Sequence, residues 1–229
     1  MRHRSRGFTL VELNLAVIAV ALLVIAVAMV TINVTKINQH GILLKTINQT
    51  GREVMDMLER DLTVARSDKI KYELAGSAGR LCLGTVSYVF NTAEALSGGA
   101  GDLIRDETNT PVTLVRIDDK EGTWCQKDAG DVFIKTAITG ADGEVTEVLQ
   151  TDTVPVAVYV LEVNNLANSA ETGQGIQELR LLLGTNEPDT VDASNVCKPP
   201  TDHEANFDEC VVREFRTIVR SNGMTKGGS

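Results

Sequence analysis

The sequence predicts an α+β protein in which one long N-terminal α-helix packs on an antiparallel β-sheet. An apolar run from Phe8 to Ile32 continues into an amphipathic stretch that keeps the helical period as far as Ala65. After Asp68 the pattern changes to short apolar and β-branched runs separated by Gly, Asp and Asn. Because no helical pattern lies between most of these runs, antiparallel pairing of strands is favoured over parallel pairing.

The N-terminal apolar run is long enough to cross a membrane. Residues 8–32 number 25, and at about 1.5 Å per residue they form a helix of about 37 Å. The alternatives are a plain signal anchor and a cleaved secretory signal, since Ala26-Val27-Ala28 offers a small-x-small cleavage site. The apolar region of a secretory signal is only about 7–15 residues long. We therefore favour a membrane-spanning helix over residues 8–32.

Residues 33–68 are predicted to continue this helix beyond the membrane. Apolar residues recur there at intervals of three, four and seven positions, which places them on one face of a helix. They are Ile37, Leu44, Ile47, Val54, Leu58, Leu62 and Ala65. No proline occurs before Pro111 to interrupt the helix. A coiled coil is the alternative, but the apolar face is not sustained over further heptads. We predict one helix from Phe8 to about Ala65.

Residues 69–229 form the predicted β-rich domain. The candidate strands are 80–90, 112–118, 131–138, 145–150, 156–163, 176–183 and 210–220. Residues 118–122 and 140–143 have turn chemistry and predict hairpins. Two longer segments, 93–111 and 184–209, are rich in glycine or in Asn, Asp, Glu and Pro, and predict loops.

A single charged residue, Glu12, interrupts the apolar run. An ionised carboxylate near the end of a membrane-spanning helix costs roughly 2 to 3 kcal/mol, so it requires a partner. Glu12 belongs to the stretch Arg6-Gly7-Phe8-Thr9-Leu10-Val11-Glu12-Leu13. This stretch consists of the end of a basic leader, a glycine and the start of the apolar run. Glu12 is therefore a candidate functional residue.

This stretch resembles the class III signal of type IV prepilins and pseudopilins, whose pattern is a short basic leader followed by Gly, Phe, Thr, Leu, a hydrophobic residue and Glu. The match has no gap and covers about the first tenth of the chain. The resemblance implies a pilin-like fold, removal of leader residues 1–7 by a prepilin peptidase that cuts between Gly7 and Phe8, and N-methylation of Phe8. It also implies that Glu12 contacts the Phe8 amine of a neighbouring subunit, a pairing in which two charges that are costly alone stabilise each other.

The same resemblance implies a minor pilin, a subunit that is assembled into or at the tip of a type IV pilus. A mature chain of 229 − 7 = 222 residues is large for a major subunit and typical of a minor one. The implied partners are other pilin subunits, the prepilin peptidase and an inner-membrane assembly platform. The implied location is the inner membrane, crossed once, before assembly, and the pilus at the cell surface afterwards. Two alternatives stay open: a pseudopilin of a type II secretion system, and a membrane-anchored binding protein that does not polymerise.

The distribution of charge indicates the topology. Arg2, Arg4 and Arg6 precede the apolar run, and by the positive-inside rule they stay cytoplasmic, which places the domain after about Asn33 across the membrane. Without these three arginines the chain has 22 − 3 = 19 basic residues against 31 acidic ones, a net charge of 19 − 31 = −12. Such a chain repels a phosphate backbone, so nucleic acid is not an expected partner.

The four cysteines face an oxidising compartment in this topology and permit three pairings. We expect Cys197 to pair with Cys210, because they are close in sequence and flank a loop, with a stabilisation of roughly 3 kcal/mol. Cys82 then pairs with Cys125 by exclusion. A competing hypothesis is a metal site of Cys197, His203 and Cys210, although this spacing fits no compact zinc pattern and a fourth ligand is missing.

No motif in the sequence predicts catalysis. The GxSxG elbow, the P-loop and the HExxH helix are all absent, so we expect a protein that is not an enzyme and has no cofactor. Calcium in the acidic loop is a further hypothesis, although the ordered alternation of an EF-hand loop is missing. Its candidate ligands are Asp189, Asp192, Asp202, Glu204, Asp208 and Glu209.

Overall fold

The computed structural model describes residues 9–98, 103–149, 155–168, 174–199 and 209–222. The fold is α+β, as predicted, with a long helix followed by antiparallel sheets. The helices are α1 (Leu10–Val64) and α2 (Ala93–Gly98). The strands are β1 (Lys71–Ala75), β2 (Ala78–Cys82), β3 (Ser87–Asn91), β4 (Leu114–Ile117), β5 (Val145–Glu147), β6 (Val156–Asn168), β7 (Gly175–Thr185) and β8 (Val212–Ser221). Short 3-10 turns occur at Ser67–Lys69, Thr123–Cys125 and Pro188–Thr190.

Helix α1 is continuous over 55 residues, in agreement with the predicted extent. At about 1.5 Å per residue it is about 83 Å long. Every residue from Leu10 to Gln39 is exposed. The buried residues all lie in the C-terminal part of the helix. They are Ile47, Gly51, Val54, Met55, Leu58 and Leu62. The helix therefore consists of an exposed apolar half and a half that packs on the domain.

The strands form two antiparallel sheets rather than one. The five-stranded sheet has the order β1-β2-β3-β4-β5, so that each strand pairs with its neighbour in the chain. The three-stranded sheet has the order β6-β7-β8. In the first sheet Leu81 of β2 lies opposite Tyr88 of β3, and in the second Leu181 of β7 lies opposite Phe215 of β8. This division into two sheets was not predicted.

The larger hydrophobic core lies between α1 and the inner faces of both sheets. From α1 it receives Ile47, Leu58 and Leu62, which are fully buried. The five-stranded sheet contributes Leu81, Tyr88, Phe90 and Leu114. The three-stranded sheet contributes Val158, Leu161, Leu179, Leu181, Leu183 and Val219. Each fully buried aliphatic side chain stabilises the fold by about 1.5–3 kcal/mol, so this core holds α1 and the two sheets together.

A smaller core lies on the opposite face of the five-stranded sheet. It contains Val89, Val115 and Ile117 from the strands. The connection between β4 and β5, residues 118–144, supplies Trp124 and Ile138 to the same cluster. This long connection therefore covers the outer face of the sheet.

The structure corrects the prediction of one strand over 80–90. The chain reverses at Leu83–Val86, where the Leu83 N–H donates to the Val86 carbonyl at 2.8 Å, and forms the two paired strands β2 and β3. Gly84 has a φ of +96° in this turn, a backbone region that favours glycine. Strand β1 was missed, although Lys71-Tyr72-Glu73-Leu74 alternates polar and apolar residues, because the strand is only five residues long and largely exposed.

The prediction of a strand over 131–138 is wrong. Among the described residues, only isolated bridges at Phe133 and Ala137 occur there. Phe133 and Ile138 are buried because the connection that carries them covers the five-stranded sheet. Their apolar side chains explain why this segment was predicted as a strand. The turn-forming residues at 118–122 and 140–143 make turns inside this connection, but they do not join paired strands, so the hairpin predictions are wrong as well.

Three loops share one local structure that the sequence analysis did not predict. They are residues 106–110, 128–132 and 192–196. In each, the aspartate at the first position accepts hydrogen bonds from the backbone N–H groups two and four residues later. The fourth residue has a φ between 58° and 65°. These residues are Asn109, Asp131 and Asn195, types that tolerate this left-handed region. Parts of the predicted loops 93–111 and 184–209 are therefore tight hairpins.

Candidate functional site

The site that the sequence analysis singles out lies at the N-terminus of α1. Thr9 is the N-cap residue, and its Oγ1 accepts a hydrogen bond from the Glu12 N–H at 3.3 Å. In return the Thr9 N–H and the Thr9 hydroxyl each donate to Oε2 of Glu12 at 3.0 Å. These reciprocal hydrogen bonds form a capping box. The Glu12 carboxylate is therefore held back towards the N-terminal end of the helix.

The role of Thr9 was missed by the sequence analysis, although a signal for it was present. Threonine followed three residues later by glutamate, just before an apolar run, is the capping-box pattern. A carboxylate in the first turn also interacts favourably with the helix dipole, by about 0.3–1 kcal/mol at an exposed site. These contacts give Oε2 of Glu12 two hydrogen-bond donors without neutralising the charge of the carboxylate. Its need for a cationic partner stays a prediction.

Gly7 and Phe8, the predicted cleavage and methylation positions, lie outside the described residues. Thr9 follows Phe8 directly in the chain, and the Thr9 N–H is one of the donors to Glu12. An amino group created at Phe8 would therefore belong to the residue adjacent to the capping box. The candidate carboxylate and the candidate amine thus belong to the same end of the helix.

The exposed half of α1 is an apolar surface. Within the described part of the chain, α1 is the one helix long and apolar enough to cross a membrane. Its large apolar side chains in this half range in exposure from 52% at Ile25 to 77% at Leu10. An uncovered surface of this kind is unfavourable in water. It is compatible with burial in a membrane, and Glu12 lies at its N-terminal edge.

One polar cluster fixes the other end of α1 to the five-stranded sheet. Arg116 Nε of β4 and Tyr88 Oη of β3 donate to the same atom, Oδ2 of Asp61, at 2.7 and 2.6 Å. The Asp61 side chain is only 13% exposed. The hydrogen bond with Asp61 raises the pKa of Arg116, and burial followed by the contact with Asp61 raises the pKa of Tyr88. At neutral pH the helix end is therefore held by a guanidinium and a neutral phenol.

The cysteines form disulfides in the expected pairing. Cys82 bonds to Cys125 and links β2 to the connection that covers the five-stranded sheet. Cys197 bonds to Cys210 and links the hairpin around residues 192–196 to the start of β8. Because Cys197 and Cys210 are bonded to each other, they offer no thiolate to a metal ion. The alternative metal site with His203, a residue outside the described ranges, is therefore wrong.

The calcium hypothesis receives no support from the acidic residues that the structure describes. The ligand candidates outside the described residues are Asp202, Glu204 and Asp208. Asp189, Asp192 and Glu209 are described, but within the described ranges no group of three or more His, Cys, Asp or Glu residues is placed to hold a metal ion. The Asp192 carboxylate instead accepts hydrogen bonds from two N–H groups of its own loop.

The buried carboxylate of Asp119 has a structural role. It accepts hydrogen bonds from the Ser87 hydroxyl at 2.8 Å, from the Thr123 N–H at 2.8 Å and from the Trp124 N–H at 3.1 Å. These bonds tie the covering connection to β3. A carboxylate occupied in this way is not placed to act as a base on a substrate.

No protein-family model, curated protein or solved structure matches this chain. The likeness to prepilin-type proteins therefore rests on two features of the chain itself. One is the stretch from Arg6 to Leu13. The other is a shape compatible with a pilin, in which a long N-terminal apolar helix packs on antiparallel sheets.

Proposed function

We propose that this protein is a minor pilin of a type IV pilus. The observation that carries the proposal is the union of three features in one helix: the prepilin-type stretch at its start, an exposed apolar half, and a second half packed on a domain. Before assembly the exposed half spans the inner membrane. After assembly it lies among the corresponding halves of neighbouring subunits, with the domain on the outside of the filament.

The exposed apolar half of α1 can exchange lipid for neighbouring helices at a small cost in free energy. Leu15, Val20 and Leu23 are exposed by 69, 59 and 65% in the single subunit. In the filament they leave lipid and contact other apolar helices, so hydrophobic burial is nearly unchanged while close packing is gained. The transfer therefore requires little net desolvation.

Glu12 supplies the specific contact of this proposal. Its carboxylate is held at the N-terminal end of α1 by Thr9, where the Phe8 amine of a neighbouring subunit brings the missing positive charge. A charged pair in an apolar environment is tolerable when both members are present and hydrogen-bonded, and costly when one is missing. The pairing sets the axial register of one subunit against the next, because α1 contains one carboxylate in its membrane-spanning part.

Two measurements on the protein from its own cells test this proposal. The N-terminal residue, determined by mass spectrometry, should be N-methylated Phe8, and the protein should be recovered in surface material sheared from the cells. A chain that starts at Met1, or just after Ala28, contradicts processing of the prepilin type. A processed chain that stays entirely in the membrane fraction points to an anchored binding protein.

A deletion strain separates the pilus from the secretion system. Loss of surface filaments, with normal release of exported proteins into the medium, is expected for a minor pilin. Loss of protein release with filaments intact identifies a pseudopilin of a type II secretion system and contradicts the pilus assignment. Restoration by the wild-type gene serves as the control.

A further inference from the structure

Asn14 is a polar residue in the exposed apolar half of α1, and the proposed contact of Glu12 does not use it. It lies six residues after Phe8, which is a depth of about 9 Å at about 1.5 Å per residue. The residue is exposed on the surface of the helix. When this half of α1 spans the membrane, the Asn14 amide is therefore surrounded by hydrocarbon, and its short side chain does not return to the interface.

The other polar side chains of α1 and its cap, as far as Ile32, are hydrogen-bonded within the helix. Thr9 and Glu12 bond to each other, and the Thr31 hydroxyl donates to the Val27 carbonyl at 2.9 Å. Asn14 makes no hydrogen bond within the described part of the chain. Its amide offers two N–H donors and a carbonyl acceptor, which are costly to leave unsatisfied in an apolar medium. Lipid tails supply no such partner, so Asn14 requires a hydrogen-bonding group from another protein.

A seam of alternating small and β-branched residues runs along the helix from Asn14. The small residues are Asn14, Ala21 and Ala28, and the β-branched ones are Ile18, Ile25 and Ile32. Intervals of four and three residues alternate between them, which places all six on one face. The three isoleucines are exposed by 61, 52 and 57%, so the seam is uncovered in the single subunit. Small residues in such a seam let a second helix approach closely, within hydrogen-bonding reach of Asn14.

The Asn14 seam and Glu12 lie on opposite faces of α1. Successive helical residues are about 100° apart, so Asn14 is about 200° around the helix from Glu12. The carboxylate and the amide therefore face different neighbouring helices. Residues 13–32 include no charged side chain, so a helix on the seam is held by close packing and by the hydrogen bond of Asn14, and not by an ion pair.

We infer that Asn14 forms an interhelical hydrogen bond with the membrane-spanning helix of a different pilin subunit, which packs along the Asn14 seam; this contact rests on the proposed function. The partner carries an amide or a hydroxyl in its own apolar helix, because these groups both donate and accept hydrogen bonds. A minor subunit is surrounded by subunits of other sequences, so the partner is not a second copy of this chain. One polar residue in an apolar seam also fixes register and partner choice.

Site-specific photo-cross-linking in the protein's own cells tests the contact. A photoreactive amino acid replaces Val17, which flanks the seam one turn beyond Asn14 and is 60% exposed. Mass spectrometry of the linked product should identify a different chain that has a processed prepilin-type N-terminus and an amide or hydroxyl in its apolar helix. The absence of a product overturns the contact. A product that contains only copies of this chain, or an unprocessed protein, overturns it as well.

Substitutions of Asn14 test the hydrogen bond itself. Asn14→Leu should lower the yield of the Val17 product about three- to tenfold, because one interhelical hydrogen bond is lost. Asn14→Gln keeps an amide and should retain most of the product. Thr31→Val is the matched control, since it removes a hydroxyl already bonded within its own helix, and it should leave the yield unchanged. An unchanged yield in Asn14→Leu, or equal losses in Asn14→Leu and either of the other variants, contradicts the hydrogen bond.

A second photoreactive position separates this contact from the proposed function. Leu23 is nine residues after Asn14, about 180° around the helix, and is 65% exposed. Its link to a neighbouring subunit should survive Asn14→Leu. A chain that begins at Met1 in cells refutes the proposed function and, with it, the contact. A chain that begins at methylated Phe8, enters sheared filaments and forms the Leu23 link, but whose Val17 link does not depend on Asn14, refutes the contact alone.

Discussion

Gly51 of α1 lies directly against the ring of Phe215 of β8, so closely that a Cβ atom on Gly51 would lie 2.1 Å from Cζ of that ring. A helical glycine is ordinarily unfavourable, since alanine in its place stabilises a helix by about 1 kcal/mol. Here the missing side chain lets the helix and the three-stranded sheet approach. The contact holds the packed half of α1 at a fixed position on the domain.

This contact predicts opposite results at two glycines of the same helix. Gly51→Ala should lower the free energy of unfolding by about 1–3 kcal/mol, because the Phe215 ring must move out of its position. Gly41→Ala is the matched control, since nothing lies within 4 Å of a Cβ atom there, and it should be neutral or slightly stabilising. Thermal unfolding of the full chain in detergent measures both. Equal responses of the two variants would contradict the packing role of Gly51.

The cluster around Asp61 predicts that substitutions of its members lower the free energy of unfolding by different amounts. Asp61→Asn removes the negative charge that faces Arg116 and should lower the free energy of unfolding by about 2–4 kcal/mol. Tyr88→Phe removes one hydrogen bond and should cost about 1 kcal/mol. Because both donors share Oδ2 of Asp61, the double variant should lose less than the sum. Strict additivity in denaturant unfolding would show that the two bonds act independently.

The hydrogen bonds of Asp142 predict that the folded protein loses stability in acid. Burial raises the pKa of Asp142, but the hydrogen bonds from Lys135 and from Thr139 outweigh burial, so the pKa lies below its ordinary value. A carboxyl with a lowered folded-state pKa contributes stability above its unfolded-state pKa of about 3.9 and loses it as the pH falls through the folded-state value.

The measurement for Asp142 is the melting temperature as a function of pH. Asp142→Asn should be less stable than wild type at pH 6, and the difference should shrink as the pH falls below about 4. Glu144→Gln, a change at an exposed acid, is the control and should show little difference at any pH. A gap between wild type and Asp142→Asn that stays constant down to pH 2 would exclude the ionised carboxylate as its cause.

Two substitutions at Glu12 separate its charge from its capping role. Glu12→Val should leave cleavage intact but impair incorporation into filaments, because both the cap and the charge are lost. Glu12→Gln keeps a side chain that fits the capping box with Thr9 and loses only the charge, so it should be impaired too. Both are measured by comparing sheared and membrane fractions. Normal incorporation of Glu12→Val would refute the pairing with Phe8, and normal incorporation of Glu12→Gln would assign the effect to capping.

Substitution of Gly7 should block cleavage of the precursor, a step that precedes assembly. A bulky residue at this position, as in Gly7→Leu, should leave an uncleaved precursor that retains residues 1–7, because the implied peptidase cuts directly after this glycine. Electrophoretic mobility and the intact mass report the difference, with Ser5→Ala as a control that should still be cleaved. A mature product of Gly7→Leu with wild-type mass would place the cut elsewhere.

Much of the helix and part of the sheet could be predicted from local patterns. The apolar run and the stripe that includes Leu58 and Leu62 repeat with the helical period, so α1 was predicted nearly to its observed end. Strands β6, β7 and β8 carry long apolar runs and were also found. The segment 131–138 was misjudged, because Phe133 and Ile138 are buried by their place in a covering loop and not by strand pairing.

The functional and structural polar residues also divide into some that the sequence predicted and some that it did not. Glu12 was identifiable because a charge in an apolar run is costly wherever the chain folds, and the link to Thr9 was readable from a spacing of three residues. The cluster of Asp61, Tyr88 and Arg116 was not, since its members lie 27 and 55 positions apart. No periodic pattern connects residues at such separations.

By itself the sequence determined the long helix, its apolar half, the charge at Glu12 and the acidic character of the domain, because each follows from residue type and from spacings of a few positions. Only the tertiary structure decided that the strands divide into two sheets, that Gly51 meets Phe215, and that Asp61 meets Tyr88 and Arg116. These features depend on which buried faces meet, and that choice is made by packing over the whole chain.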